Sequence, residues 1–177
     1  MRVIAGKYRN RTLRVSDQIR PTTDRVRETL FNILQAEIEG AVFVDAFAGS
    51  GAVGIEAISR GASMVYFLET NRKSLRALED NLAQFGEVDQ WRIHAMDVMK
   101  GLEVVRREEP HVHILFFDPP YDFKHYSELI TQSARVFPEA THILESSTRT
   151  NFYVPPEVEL MKHREVGETL LSFYRTK

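Results

Sequence analysis

Short apolar runs alternate along most of this chain with segments whose apolar residues recur every three or four positions, the signatures of strand and helix respectively. Ala41-Val42-Phe43-Val44-Asp45, Ser63–Glu69, Trp91–Ala95, Val112–Phe117 and Thr141–Glu145 read as five strands. Between them the pattern predicts helices over 52–60, along the face Leu75, Leu78, Leu82 and Phe85 as far as Gly86, over 98–107 and over 124–136. Upstream, Val26, Leu30, Ile33 and Leu34 share one face of a helix over 24–38, capped by Thr23 or Asp24 and closed by Gly40. The first fifteen residues alternate around Gly6 and Asn10-Arg11, as a small β-hairpin would. Val158–His163 and Glu168–Arg175 form two closing strands around the Gly167 turn, with no helix between them. Strands alternating with helices give an α/β fold, a doubly wound and mostly parallel sheet, here ending in an antiparallel pair. Residues 1–20 then form a basic extension and 21–177 the main domain.

Composition narrows the chemistry. At 177 residues with 43% hydrophobic content the chain can bury one substantial core. No apolar run approaches the length of a membrane span and the N-terminus carries no signal-peptide pattern, so a cytoplasmic location is expected. There is no cysteine, which excludes disulfides, thiolate metal sites, iron–sulfur clusters and thiol nucleophiles. The net charge of −2 hides an asymmetry. Residues 1–27 hold eight basic groups against Asp17 and Asp24, a net of +6, and the remainder carries −8. Seven of those eight cations are arginine, which favours bidentate contact with phosphate.

Gly49-Ser50-Gly51-Ala52-Val53-Gly54 stands between a predicted strand and a predicted helix. Glycines at that junction allow a tight turn and let a ligand approach the helix N-terminus. Glu69 ends the next strand, where an acid can accept from both hydroxyls of a ribose. A dinucleotide would lay its pyrophosphate on this turn, beside the carboxylate of Asp45. That charge repels a phosphate but can receive an ammonium, which favours S-adenosyl-L-methionine; an Asp45 that merely holds the turn is the simpler alternative. After the most apolar strand comes Asp118-Pro119-Pro120-Tyr121. The prolines fix the backbone and remove two donors, so Asp118 and the Pro119 carbonyl can each accept one hydrogen of an exocyclic –NH2 while Tyr121 offers a stacking surface.

The series Asp45-x-x-x-Gly49-x-Gly51, Glu69, Asp97 and Asp118-Pro119-Pro120-Tyr121 resembles the Rossmann-like class I S-adenosylmethionine-dependent methyltransferases that modify amino groups. More narrowly, Arg2-Val3-Ile4-Ala5-Gly6, the segment from Arg20-Pro21-Thr22-Thr23 to Asn32, and Asp45–Gly51 resemble the bacterial 16S rRNA guanine-N2 methyltransferases of the RsmD type. These act on the guanine at position 966 of that RNA. The resemblance covers most of the chain and implies a seven-stranded sheet with an antiparallel last strand. It implies that Asp45, Phe47, Ala48, Gly49, Ser50 and Gly51 surround the methionine portion of the cofactor. Glu69 and Thr70 would meet its ribose, and Asp97 with Val98 its adenine. Asp118, Pro119, Pro120 and Tyr121 would hold a flipped-out target base. Arg2, Lys7, Arg9, Arg11, Arg20, Arg25 and Arg27 would contact 16S rRNA, within a small ribosomal subunit or an assembly particle. No metal is needed. His111-x-His113 is a metal-compatible spacing without a third ligand in sequence, and it reads as structural.

Other classes stay open at this level. DNA adenine-N6 or protein glutamine-N5 methylation can use a similar clamp, although the glutamine enzymes call for Asn at position 118. An NAD-dependent oxidoreductase could use the glycine turn. A non-catalytic RNA-binding assembly factor could retain the pocket alone.

Overall fold

The computed structural model describes residues 1–15, 22–86 and 88–177. Arg20 lies outside these, as does the expected boundary between extension and domain. Seven strands, β1 (Val42–Ala46), β2 (Met64–Leu68), β3 (Trp91–His94), β4 (Ile114–Phe117), β5 (Thr141–Ser147), β6 (Val158–Val166) and β7 (Thr169–Thr176), form one sheet in the order β3-β2-β1-β4-β5-β7-β6. β1 to β5 are mutually parallel, and β7 runs antiparallel to both β5 and β6. The order reverses at β1 and β4, the switch point at which ligands of open α/β sheets bind, beyond the carboxyl ends of the strands. The closing pair is the expected antiparallel hairpin at the sheet edge. β7 inserts beside β5, leaving β6 as the outer strand.

The central strands are apolar on both faces because both are covered. Phe43, Phe67, Ile114, Phe116 and Ile143 pack on one side, against α2 (Ala52–Ser59), α3 (Arg72–Leu82) and α1 (Asp24–Ile33). Val42, Val44, Leu68, Leu115, Phe117 and Leu144 pack on the other, against α4 (Val98–Glu108) and α5 (Tyr126–Val136). No helix of the described residues is long and apolar enough to cross a membrane.

The hairpin expected over 1–15 is a short one: the antiparallel Arg2–Thr12 bridge is flanked by Val3 N–H to Arg11 carbonyl, Asn10 N–H to Val3 carbonyl and Leu13 N–H to Met1 carbonyl bonds, and its residues Val3, Tyr8 and Leu13 are buried in the main core. Two expectations are corrected. The helix expected over 24–38 stops at Ile33, where the Leu34 carbonyl accepts from both Glu37 and Ile38 and tightens the chain into a turn. Ile38 still reaches the core from that turn, which is why its position fitted the helical pattern.

The second concerns Arg27, at the junction of the N-terminal turns with α2, a helix buried on every side. A helix with no polar face must be covered all round, and the N-terminal turns provide the second cover. Ile4 and Ala5 donate their N–H groups to the Glu56 carboxylate at 2.8 and 3.0 Å, and Lys7 and Tyr8 donate to the Ser59 carbonyl and hydroxyl. Gly6 is required at this contact, because a Cβ there would lie 1.8 Å from the Ser59 carbonyl oxygen. Arg27, expected on the RNA surface, is fully buried in the same junction. Its guanidinium donates to the Arg2 carbonyl at 2.7 Å and to Asp24 at 2.8 Å, so it ties the N-terminal turns to α1 and is closed off from an external partner. Burial lowers its pKa.

Candidate active site

Acids gather at the carboxyl edge of the parallel strands. Asp45 is the penultimate residue of β1 and is buried, with Oδ2 accepting the Gly54 N–H at 2.8 Å. Its carboxyl is pushed well above the usual range, first by burial and then by Asp118 and Glu69. Glu69, just past β2, accepts the Gly49 N–H on one oxygen and the Thr70 and Asn71 N–H groups on the other. Asp118, just past β4, accepts the Thr22 hydroxyl at 2.9 Å. Burial raises it to about 6. Among the described residues none of these three carboxylates is paired with a cationic side chain. Carboxylates held together without a counter-ion favour a ligand that brings positive charge.

The glycine turn sits beneath them. Gly51 caps α2 at φ 80°, and a Cβ there would lie 2.3 Å from Leu78 Cδ1, so the turn depends on glycine for conformation and for space. Phe47, between Asp45 and the turn, also adopts a positive φ of 63°. A non-glycine residue in that region marks a loop held by its surroundings, and here Phe47 meets the edge of the Phe123 ring at 5.4 Å. Ala48 is buried, and Ser50 gives its carbonyl to the buried Asn81, which also binds the Arg14 backbone. Asp97 caps α4 by accepting from Met99 and Lys100, and Val98 is buried behind it.

In the clamp, Pro119 is buried and Pro120 exposed, and Tyr121 is 79% exposed, with its ring open to a stacking partner. Phe123, which follows, packs edge-on against Tyr126, and Tyr126 stacks on Phe152. The loop after β4 therefore rests on an aromatic support contributed partly by the segment between β5 and β6. Of the basic candidates, Arg2, Lys7, Arg9, Arg11 and Arg25 are exposed. His113 accepts the Val42 N–H on Nδ1 and so serves the sheet. A cavity of about 600 Å³ lined in part by His111, His113, Arg106 and Arg175 opens at the beginning of β4, the end of the sheet opposite the acids.

The residues that the spacing pattern did not single out are Glu56, Thr22 and Glu145. Glu145 stands one position beyond Leu144, which is level with Phe117 on β4, so Glu145 is level with Asp118. A signal existed: Asp45, Glu69, Asp118 and Glu145 each follow an apolar strand run directly.

The family model described as Conserved hypothetical protein 95 matches residues 1–175. The chain belongs to this family. Its relatives include the ribosomal RNA small subunit methyltransferase D proteins of Haemophilus influenzae and of Escherichia coli K12. The first is 33% identical, over 99% of this chain and 93% of its own length. The second is 35% identical, over 99% and 89%. Among solved structures, yhhF of Escherichia coli superposes with a TM-score of 0.84 at 32% identity, covering 100% of this chain and 98% of that one. The family is thus one of methyltransferases, and the chain shares its fold from end to end.

Proposed function

We propose that the protein transfers a methyl group from S-adenosyl-L-methionine to the exocyclic N2 amine of a guanine in 16S rRNA, the same guanine that the family resemblance implies, within a small ribosomal subunit or an assembly particle. The observation that carries this reading is the meeting of uncompensated carboxylates and an amine clamp at the switch point of the sheet. The residues present fit the cofactor: Asp45 offers its charge to the ammonium, the Gly49–Gly51 turn gives close backbone approach, Glu69 and Thr70 stand where a ribose would lie, and Asp97-Val98 edge the adenine side. When bound, the cofactor supplies a methyl group on a positive sulfonium, which becomes a neutral thioether as the methyl leaves.

The remaining work belongs to the chain. The amine lone pair of guanine is delocalised into the ring. Asp118 and the Pro119 carbonyl, each accepting one N–H, turn that lone pair out of the ring plane and toward the methyl. Tyr121 stacks on the flipped base and replaces the stacking lost in the RNA. Positive charge develops on the nitrogen as the C–N bond forms, and the Asp118 carboxylate stabilises it. The surplus proton leaves once the methyl has arrived, so Asp118 orients and need not act as a strong base. Arg2, Lys7, Arg9, Arg11 and Arg25 supply phosphate contacts around the mouth, and the same role is proposed for Arg20.

The test is transfer of label from the cofactor to small subunits that lack the modification, with digestion to nucleosides. Label recovered as N2-methylguanosine from 16S rRNA supports the reading. Label in adenine of DNA, or binding of cofactor without transfer, replaces it.

Two further outcomes are expected. Because Asp118 stabilises the charge that develops on the amine only when it is ionised, kcat/KM falls as pH is lowered through about 6, well above the range of an ordinary aspartate. A rate profile from pH 5 to 8 checks this, and a profile flat down to pH 5 would remove the role of Asp118. Gly51→Ala places a side chain at φ 80° against Leu78. It should cost about 1–2 kcal/mol of stability and weaken cofactor binding about tenfold, read by chemical denaturation and by equilibrium titration.

A further inference from the structure

Among the described residues, the two most exposed large apolar side chains are Tyr121 and Tyr153, at 79% and 71%. The first belongs to the clamp. The second lies in the segment between β5 and β6, and nothing in the methyl-transfer machinery uses it. The fold brings both to one edge of the sheet. α5 follows the clamp loop, and the Tyr153 carbonyl accepts from the hydroxyl of Ser127 in its first turn. Phe123 packs edge-on against Tyr126 at 5.2 Å, and Phe152 stacks on the same ring at 5.3 Å. The loop that carries Tyr121 and the segment that carries Tyr153 therefore meet on one side chain.

That segment is held on both sides of the exposed ring. The Arg149 N–H donates to the Ser147 hydroxyl at 3.2 Å and the Thr150 N–H to the Ser147 carbonyl at 2.9 Å, which closes a turn. The Thr148 N–H ties this turn to the β6–β7 connection through the Glu168 carbonyl. Beyond Val154, Pro155 and Pro156 fix the backbone. Phe152 turns inward onto Tyr126, and Tyr153 turns outward. A ring presented by a fixed backbone loses little freedom when a partner arrives. Arg149 is 85% exposed, and its guanidinium meets the Glu168 carboxylate at 3.2 Å in a pair open to water. Such a pair is weak, and a phosphate that takes two guanidinium N–H groups at once displaces it.

We propose that Tyr153 and Arg149 form a second RNA subsite beside the clamp: the Tyr153 ring stacks on an unpaired base that neighbours the target guanine in the strand, and Arg149 takes a phosphate of the same stretch. The subsite rests on the methyl-transfer reading for its purpose. A base flipped out of its stack leaves its neighbours without a stacking partner, and a second ring close to the first supplies one. An exposed aromatic ring with an arginine nearby suits a single strand, stacking for the base and charge for the backbone. A protein partner fits less well, because the apolar exposure in this segment is Tyr153 and Val154 alone, too little for the apolar centre of a protein interface.

The experiment uses the whole protein and small subunits that lack the modification. Tyr153→Ala should raise KM for subunits about tenfold or more, the worth of one base stacked on an aromatic side chain, with kcat changed less than about twofold. Tyr153→Phe keeps the ring and should stay near wild type. Because the side chain is exposed, neither variant should move the unfolding midpoint or the cofactor affinity. Arg149→Ala should reduce the slope of log KM against log salt by about one. A readout that needs no catalysis is Tyr153→p-benzoylphenylalanine, irradiated on subunits and mapped by primer extension. The expected crosslink lies in 16S rRNA within a few nucleotides of the target guanine. A crosslink confined to a ribosomal protein or to distant RNA, an unchanged KM in Tyr153→Ala, or a loss in Tyr153→Phe as large as in Tyr153→Ala each overturns the subsite. Absence of methyl transfer by the wild-type protein would instead reject the functional reading, and the crosslink would still decide whether Tyr153 meets RNA.

Discussion

Asp118→Ala is expected to lower kcat about 10³-fold while leaving cofactor affinity within a few-fold of wild type. The size follows from what is removed: one fixed acceptor, aimed at the place where charge develops, is worth about 10²–10³ in rate when lost from a preorganised site. Affinity changes little because Asp118 lies past β4, whereas the groups assigned to the cofactor lie at or beyond the carboxyl ends of β1, β2 and β3. Asp118→Asn separates orientation from charge. The amide keeps the shape and one acceptor oxygen, and the Thr22 hydroxyl can still donate to it, so folding is preserved. It cannot carry the negative charge that stabilises the developing ammonium, and the loss should remain at least tenfold. The acid limb near 6 should also disappear, because the group that titrates there is gone. Full activity in Asp118→Asn would reduce Asp118 to a structural acceptor and move the chemistry to the Pro119 carbonyl. Single-turnover rates with saturating cofactor, alongside a cofactor titration, distinguish these results.

Much of this arrangement was legible before any coordinates because the parallel strands carry a simple signal. Runs such as Ile114–Phe117 are apolar on both faces, as only a doubly covered strand is, and Asp45, Glu69, Asp118 and Glu145 directly follow four of these runs. The glycine turn and the Asp-Pro-Pro-Tyr clamp are contiguous in sequence, so adjacency in space followed from adjacency along the chain. What could not be read is what tertiary contact alone creates. Arg27 looks like any arginine in a basic segment, and nothing in its neighbours says that the Arg2 carbonyl will close over it. Val3, Tyr8 and Leu13 have no strand or helix period because the turns that bury them are irregular. Glu145 is hidden in the sequence for a related reason: Asp118 is 27 positions away, and only the register of β4 on β5 brings the two level. The all-apolar helix around Glu56 was the unread clue. A lone acid in Ala52–Ser59 requires partners, and a helix without a polar face requires a second cover.

That acid carries the largest expected effect on stability. Glu56 is fully buried and accepts three hydrogen bonds, from Ile4 N–H, Ala5 N–H and the Arg60 guanidinium at 2.7 Å. Glu56→Ala leaves two backbone donors and a mostly buried cation without their acceptor, in a site that water reaches poorly. Removing one partner of such a pair costs about 3–5 kcal/mol, which for a domain of this size corresponds to a fall in Tm of order 10 °C. The loss should fall mainly on the N-terminal turns, because α2 keeps its contact with the sheet through Ile55 and Val53 while the turns lose their chief anchor. Two measurements separate this from a general weakening. Limited proteolysis should cut first near Arg9 and Arg11, which are already exposed, at a rate well above wild type. Cofactor affinity should hold better than activity on subunits, since the glycine turn keeps its own hold on Asn81 of α3 while the basic surface is built on the N-terminal turns. Glu56→Gln keeps one acceptor and loses the charge facing Arg60, so it should fall between the two. A change below about 1 kcal/mol in Glu56→Ala would mean that the turns are only decoration on α2, and the buried Val3, Tyr8 and Leu13 make that outcome the one that contradicts the packing.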